Sequence, residues 1–237
     1  AYTGSLPTAQ SGSFYGAAGN NFQHDEPNKH FSDITNANTQ GLVASNYENA
    51  FGLLTNQDEY VFNIISAPGL IYNYGDHKVQ LDSMISLAQD RGDCIAVVDL
   101  SPYGSTVAGA AGHAAVLNSS YAAAYWPWVQ MGSSTGKLEF APASVVIPGV
   151  YAFTDSAAAE WFAPAGLTRG GIPNVIQAER KLTRAHRDTL YAANVNPIAT
   201  FPGSGISVFG QKTLQKKKSA LDRVNVRRLL IDLKKFL

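Results

Sequence analysis

The chain has 237 residues, of which 45% are hydrophobic and 11% aromatic, enough to bury one large core or two small ones and too apolar for a disordered chain. No stretch approaches the roughly 20 apolar residues that cross a bilayer, and a single cysteine, Cys94, excludes an internal disulfide and fits a reducing cytoplasm. The net charge of zero hides an asymmetry: residues 1–168 carry four basic residues (Lys29, Lys78, Arg91, Lys137) against fourteen acidic ones, and residues 169–237 carry fourteen basic against four acidic (Glu179, Asp188, Asp222, Asp232). Either copies of the chain stack through opposite faces, or the charges disperse in three dimensions.

Residues 1–57 are rich in Gly, Ser, Asn, Thr and Ala, with short apolar runs at 41–44 and 51–54. They read as loops and short strands belonging to an adjoining, partly missing domain. From residue 58 the pattern sharpens into a core domain over 58–237. Residues 60–66 (YVFNIIS) form an apolar run stopped by Pro68-Gly69, a buried strand and a turn. Leu81, Met84, Ile85 and Ala88 repeat at i, i+3, i+4, i+7 and predict a helix over 78–91, capped by Gly92. Residues 94–100 (CIAVVDL) read as a strand covered on both faces. Strand, helix and strand within this span predict a βαβ unit with a right-handed crossover.

Small residues over 106–117 suit a closely packed helix. The run at 121–129 (YAAAYWPWV) contains Pro127, which argues for an edge strand or an extended segment. Pro148-Gly149 inside the apolar stretch 144–151 allows a kinked helix or two separate pieces. Residues 182–193 read as a helix with Leu182, Ala185, His186 and Thr189 on one face and Leu190 beside them. Residues 196–201 and 205–209 are short strands around the turn Pro202-Gly203-Ser204. The last helix, about 222–237, places Val226, Leu229, Leu230, Leu233 and Leu237 on its apolar face and basic residues on the other. The predicted fold class is α/β: a mixed sheet with flanking helices and a βαβ unit, plus a loop-rich N-terminal segment. Ala1 in place of an initiating Met, and a helical pattern still running at Leu237, read as the ends of a piece of a longer protein.

Chemistry-bearing patterns are sparse. Ser66 or Ser101 with Asp99 and His113 supply the residue types of a hydrolase, but neither serine sits in a Gly-x-Ser-x-Gly elbow, and Asp99 reads equally as a strand-end residue holding a turn. His24, Asp25, Glu26 and His30 lie close together in a polar stretch that reads as a solvated acidic loop rather than a metal site. Gly136-Lys137 is followed by Leu138, so a phosphate loop lacks its Ser or Thr, and the paired glycines at 170–171 and 203/205 lack a dinucleotide fingerprint. No catalytic residue, metal or cofactor is expected. Lys216, Lys217 and Lys218 with Arg223, Arg227 and Arg228 form a basic group. Nucleic acid would be attracted to it, but no aromatic residue interleaves to stack on bases, and an acidic protein neighbour is the favoured partner.

Four motifs in order over residues 157–237 carry a resemblance. Glu160–Gly166 (EWFAPAG) followed by Arg169-Gly170-Gly171-Ile172 is the first, and Arg187–Tyr191 leading to Asn194-Val195-Asn196-Pro197-Ile198 is the second. Residues 205–214 (GISVFGQKTL) and Asn225–Leu229 (NVRRL) complete the set. Together they resemble the signature of bacteriophage contractile tail sheath proteins, in their long-tailed myophage branch, and residues 58–69 and Tyr125–Trp128 fit the same family. The family's N-terminal start, and the region beyond the final helix where its subunits exchange strands and touch the inner tube, have no counterpart here.

The resemblance implies a structural, non-enzymatic subunit in the virion's tail sheath, assembled in the host cytoplasm. Its implied partners are copies of itself, the tail tube protein, and baseplate and tail terminator proteins, with no direct nucleic acid contact and no membrane insertion. Contraction would drive the tube through the host envelope for genome ejection. The alternatives are the sheath of a related secretion system or tailocin, and an α/β hydrolase-like enzyme. The six basic residues above are the candidate subunit-interface residues. Trp161 and Phe162 are expected to pin their loop by aromatic burial, and the Arg227 and Arg228 forks to serve ion pairs within or between subunits, or simply to cap an exposed helix face.

Overall fold

A computed structural model describes residues 44–132 and 136–236 of the chain. A five-stranded sheet runs β1 (Ile64–Ile71), β2 (Ile95–Asp99), β3 (Ala122–Trp126), β7 (Val195–Phe201), β8 (Gly205–Val208) in spatial order; the first four strands are parallel, and β8 is antiparallel to β7. A second, antiparallel sheet has the order β5 (Leu138–Ala141), β4 (Val129–Gly132), β6 (Val175–Ala178).

Strand β2 explains the layering. All five of its residues are buried. Ile95 and Val97 join one apolar cluster, while Ala96 and Val98 join another. With side chains alternating between faces, an unbroken apolar strand needs cover on both sides, and the helices supply it. On one face lie α2 (Gly75–Arg91), α3 (Val107–Ala114) and α6 (Arg184–Ala192), which contribute Leu81, Met84, Ala110 and Leu190. The other face is covered by α4 (Ile147–Ala157) and α7 (Val224–Phe236), through Ile147, Val150, Val224 and Ile231. The α/β mixed sheet expected from the sequence is the observed architecture.

The βαβ unit β1–α2–β2 is present, with Ile64 opposite Ile95 and Ile65 opposite Ala96 in parallel register. Helix α2 ends where Gly92 turns left-handed at φ 68° and donates its N–H to the Ala88 carbonyl at 3.0 Å. Thr106 caps α3, its hydroxyl oxygen accepting the Gly109 N–H at 3.0 Å.

Several expectations need correction. Strand β1 starts at Ile64 and runs through Pro68-Gly69 rather than stopping there, with a register irregularity between Ser66 and Ile71. An edge strand accommodates a proline because the missing N–H need not face a neighbour. Strand β3 lies in the middle of the sheet and is fully buried, not at an edge; Pro127 follows its last residue and hands the chain on to the second sheet. Of the two readings of 144–151 the structure takes the second, two pieces: a 3₁₀ turn (Ala143–Val145) and α4, with Pro148 in the first turn of α4. Residues 44–54, read as loop and short strand, form helix α1 (Ala44–Leu54), whose Tyr47, Phe51 and Leu54 pack on the core beside α2. On α6, Ala185, His186 and Thr189 are exposed and only Leu190 is buried.

The largest correction concerns α7. Of its apolar stripe, Leu230 and Leu233 are turned outward, 41% and 47% exposed, and Val226 and Leu229 are half-buried, while Val224, Arg227, Arg228 and Ile231 face the core; Leu237 lies outside the described residues.

Candidate assembly interface

The connection between β8 and α7 carries Lys216–Lys218, and Asn196 holds one end of it. The Asn196 side chain is fully buried at the start of β7. Its amide donates to the Ala124 carbonyl at 3.1 Å and the Lys212 carbonyl at 2.8 Å, while its oxygen accepts the Lys212 N–H at 2.6 Å. The connection is thereby tied to both β3 and β7. Beyond it the Leu214 N–H donates to the Ala122 carbonyl at 2.8 Å, the Lys216 N–H donates to the Asn118 side chain at 3.0 Å, and the Asn194 amide donates to the Gln215 carbonyl at 3.1 Å. Gln215 closes the turn by donating to the Lys217 carbonyl. The Thr213 N–H donates to the Asp222 carbonyl at 2.9 Å, so the backbone is anchored on both sides of the three lysines, and their side chains are exposed. Asn196-Pro197 is therefore a clasp as well as an extended lead into β7.

The three arginines are used differently. Arg223 pairs with Asp222 at 3.2 Å and reaches the Tyr191 hydroxyl. Arg227 is buried, with its guanidinium 3.9 Å from the Tyr121 ring centroid and hydrogen-bonded to the Ser120 carbonyl at 3.2 Å and to the Ser120 hydroxyl. Arg228 is 1% exposed and pairs with Asp155 of α4 at 2.6 Å. It also lies 4.8 Å from the ring of Tyr151, whose hydroxyl bonds that of Tyr125 at 2.6 Å. Burial pushes Tyr151 up to about 12 and Tyr125 well above the ordinary phenol value, so both stay neutral beside the guanidinium. Of the six candidate residues, Lys216, Lys217 and Lys218 face outward together, Arg223 is half exposed, and Arg227 and Arg228 hold α7 to the body of the fold.

Trp161 and Phe162 are not buried: they are 47% and 41% exposed. Their loop is held by its backbone instead. Arg169 stacks on the Phe162 ring at 5.2 Å and donates to the Ala163 carbonyl at 3.1 Å, and Asn225 of α7 donates to the Trp161 carbonyl at 3.3 Å.

The hydrolase residues do not assemble as a triad. Ser101 and His113 meet, Oγ to Nδ1 at 2.8 Å. Asp99 points elsewhere, accepting the Ser144 N–H at 3.1 Å and the Ser144 hydroxyl. Burial raises the Asp99 carboxyl to about 7 and pulls His113 below the usual imidazole value. Among the described residues no cluster of His, Cys, Asp or Glu is arranged to hold a metal, and no helix is long and apolar enough to cross a membrane. The stretch containing His24, Asp25, Glu26 and His30 lies outside the described residues.

A family profile described as the phage tail sheath protein central domain matches residues 37–214, more than half of the chain. The chain belongs to the phage tail sheath family. Its relatives include the tail sheath protein of Vibrio phage KVP40, 46% identical over 89 residues that make up 38% of this chain and 13% of the relative. The tail sheath protein of Salmonella phage ViI is 27% identical over 232 residues, covering 87% of this chain and 36% of the relative. Among solved structures, the contracted PVC sheath complex of an extracellular contractile injection system superposes with a TM-score of 0.59 at 25% identity, covering 78% of this chain and 50% of that one. This sheath chain thus spans about a third of the length of the Salmonella phage relative and half of the injection-system subunit. The profile takes in the whole five-stranded sheet and the Asn196 clasp, so the lysine loop of this sheath protein leaves directly from the family's central domain.

Proposed function

We propose that the chain forms the central part of a contractile tail sheath subunit, a non-enzymatic protein that polymerises with its own copies around a tail tube and shortens to drive that tube through a host envelope. The observation that carries this reading is the sheath central-domain match over residues 37–214. Its partners in the assembled tail are further copies, the tube protein, and baseplate and tail terminator proteins. Its place is the virion tail sheath, assembled in the host cytoplasm.

The physics suits a subunit with sheet-and-helix layers filled on both faces. Such a body moves as a rigid unit, so shortening is a change of contacts between subunits rather than within them. Head-to-tail contacts whose rotation does not close produce a helix, and small free-energy gains per subunit add along its length without nucleotide hydrolysis. Lys216–Lys218 are the proposed basic side of one such contact. A sheath of an extracellular injection machine is the second reading, favoured by the likeness to the contracted PVC sheath.

Electron microscopy of the full-length subunit that contains this central part tests the proposal. Tubes or helical rings are expected, and a protein that stays monomeric at every concentration and salt condition overturns it.

A further inference from the structure

We infer that Lys216–Lys218 of one copy dock in an acidic groove between α1 and α2 of the next, a pairing that rests on the sheath reading and specifies one of its contacts. The groove holds about 500 Å³ and is lined on the α2 side by Val79, Asp82, Ser83, Ser86, Leu87 and Asp90. These positions make one stripe along the helix. Asp82 and Asp90 are two turns, about 12 Å, apart. Ser83 and Ser86 lie between them with hydroxyl oxygens able to accept from an ammonium group. Phe51 and Gly52 of α1 form the opposite wall. An apolar floor with carboxylates at both ends suits lysine, whose methylene stem packs while its charged head bonds.

The second copy is chosen as occupant on charge. Every acidic residue of α2 and of the α1–β1 segment (Glu48, Asp58, Glu59, Asp76, Asp82, Asp90) belongs to the half of the sequence with fourteen acidic and four basic residues. In the fold the groove lies on α2, the helix packed on the edge strand β1, while the lysine-bearing connection passes the start of the central strand β3, where Leu214 bonds Ala122 and Lys216 bonds Asn118. None of Lys216, Lys217 and Lys218 makes an ion pair with a described residue. Asp82 already receives the Tyr72 hydroxyl at 2.9 Å and pairs with Lys78, whereas Asp90 is exposed and open to an incoming ammonium. A groove on one part of the surface and its complement on another give a heterologous contact, the kind that propagates along a helix.

Exchange of charges between the two surfaces, made in the full-length subunit, tests the contact. One variant carries D82K/D90K and a second carries K216E/K217E/K218E. Each alone is expected to self-associate at least about tenfold more weakly than the unchanged protein by sedimentation velocity at low salt, with the difference shrinking as salt rises. Mixed together, the two variants restore association, because a reversed groove then meets a reversed loop. Should D82K/D90K fail to fold, the exposed single substitution D90K takes its place. Unweakened association in either reversed variant, or reversed variants that do not associate on mixing, overturns the contact while leaving the sheath reading intact. An unchanged full-length subunit that never self-associates overturns both.

Discussion

Arg228 of α7 and Asp155 of α4 form an ion pair at 2.6 Å in which the arginine side chain is 2% exposed. It joins two helices 73 residues apart in sequence and couples to the Tyr151–Tyr125 hydroxyl pair beneath. A buried pair of this kind is a weak source of net stability while intact, yet losing one partner strands the other charge.

Arg228→Ala is therefore expected to destabilise the protein by about 3 kcal/mol, read as a lowered urea midpoint. Arg228→Ala combined with Asp155→Ala should recover part of that loss, because no unpaired carboxylate remains. A double-variant loss equal to the sum of the Arg228→Ala and Asp155→Ala losses would show that the two groups are energetically uncoupled.

Asp99 predicts a pH dependence. Its carboxyl titrates near 7 in the fold because burial disfavours the charged form, against 3.8 for the ordinary side chain. Between those values the native state holds a proton that the unfolded chain has released, so stability is greatest at the acid end of that window and falls as pH rises towards 7. The effect is on the order of 4 kcal/mol at full amplitude. Asp99→Asn keeps a side chain able to bond Ser144 and removes the titration. The gap between the two proteins' stabilities should move in favour of the Asn variant from pH 4 to pH 8, measured by denaturant unfolding; a constant gap refutes the assignment.

Gly170 and Gly171 are adjacent in sequence and opposite in tolerance. A Cβ at Gly170 would lie 2.5 Å from the Val208 carbonyl oxygen, which is backbone and cannot swing away, whereas a Cβ at Gly171 meets open space. Gly170→Ala is expected to cost about 2 kcal/mol through forced backbone shifts, and Gly171→Ala less than about 0.5 kcal/mol. Thermal melts of the pair check this, with similar melting temperatures as the contrary result.

Elements that bury themselves by local pattern were legible without coordinates. Helix α2 shows its i, i+3, i+4, i+7 repeat and its glycine stop, β2 is unbroken because both its faces are covered, and the β7–β8 hairpin is announced by Pro202-Gly203-Ser204. The acidic groove is not legible in the sequence, although Asp82, Ser83, Ser86 and Asp90 share a helical stripe, because its second wall is α1, a segment whose weak periodicity conceals a helix.

Residue patterns were enough for the strands and helices of the main sheet, the α/β class and the tail sheath family, but not for α1 or the second sheet. Tertiary structure alone decided which way the amphipathic pieces face. Periodicity identifies the two sides of α7 but not the one that is buried, and the usual assumption that leucines turn inward fails for Leu230 and Leu233. The partners that make burial of Arg227 and Arg228 tolerable, Ser120 and Asp155, are 107 and 73 residues away. A charged group enters a core only where distant groups satisfy its hydrogen bonds, and that condition is set by how the layers pack. Lys216–Lys218 stay at the surface for the complementary reason: the clasp at Asn196 and the bond to Asn118 fix the backbone around them, and no described carboxylate pairs with them.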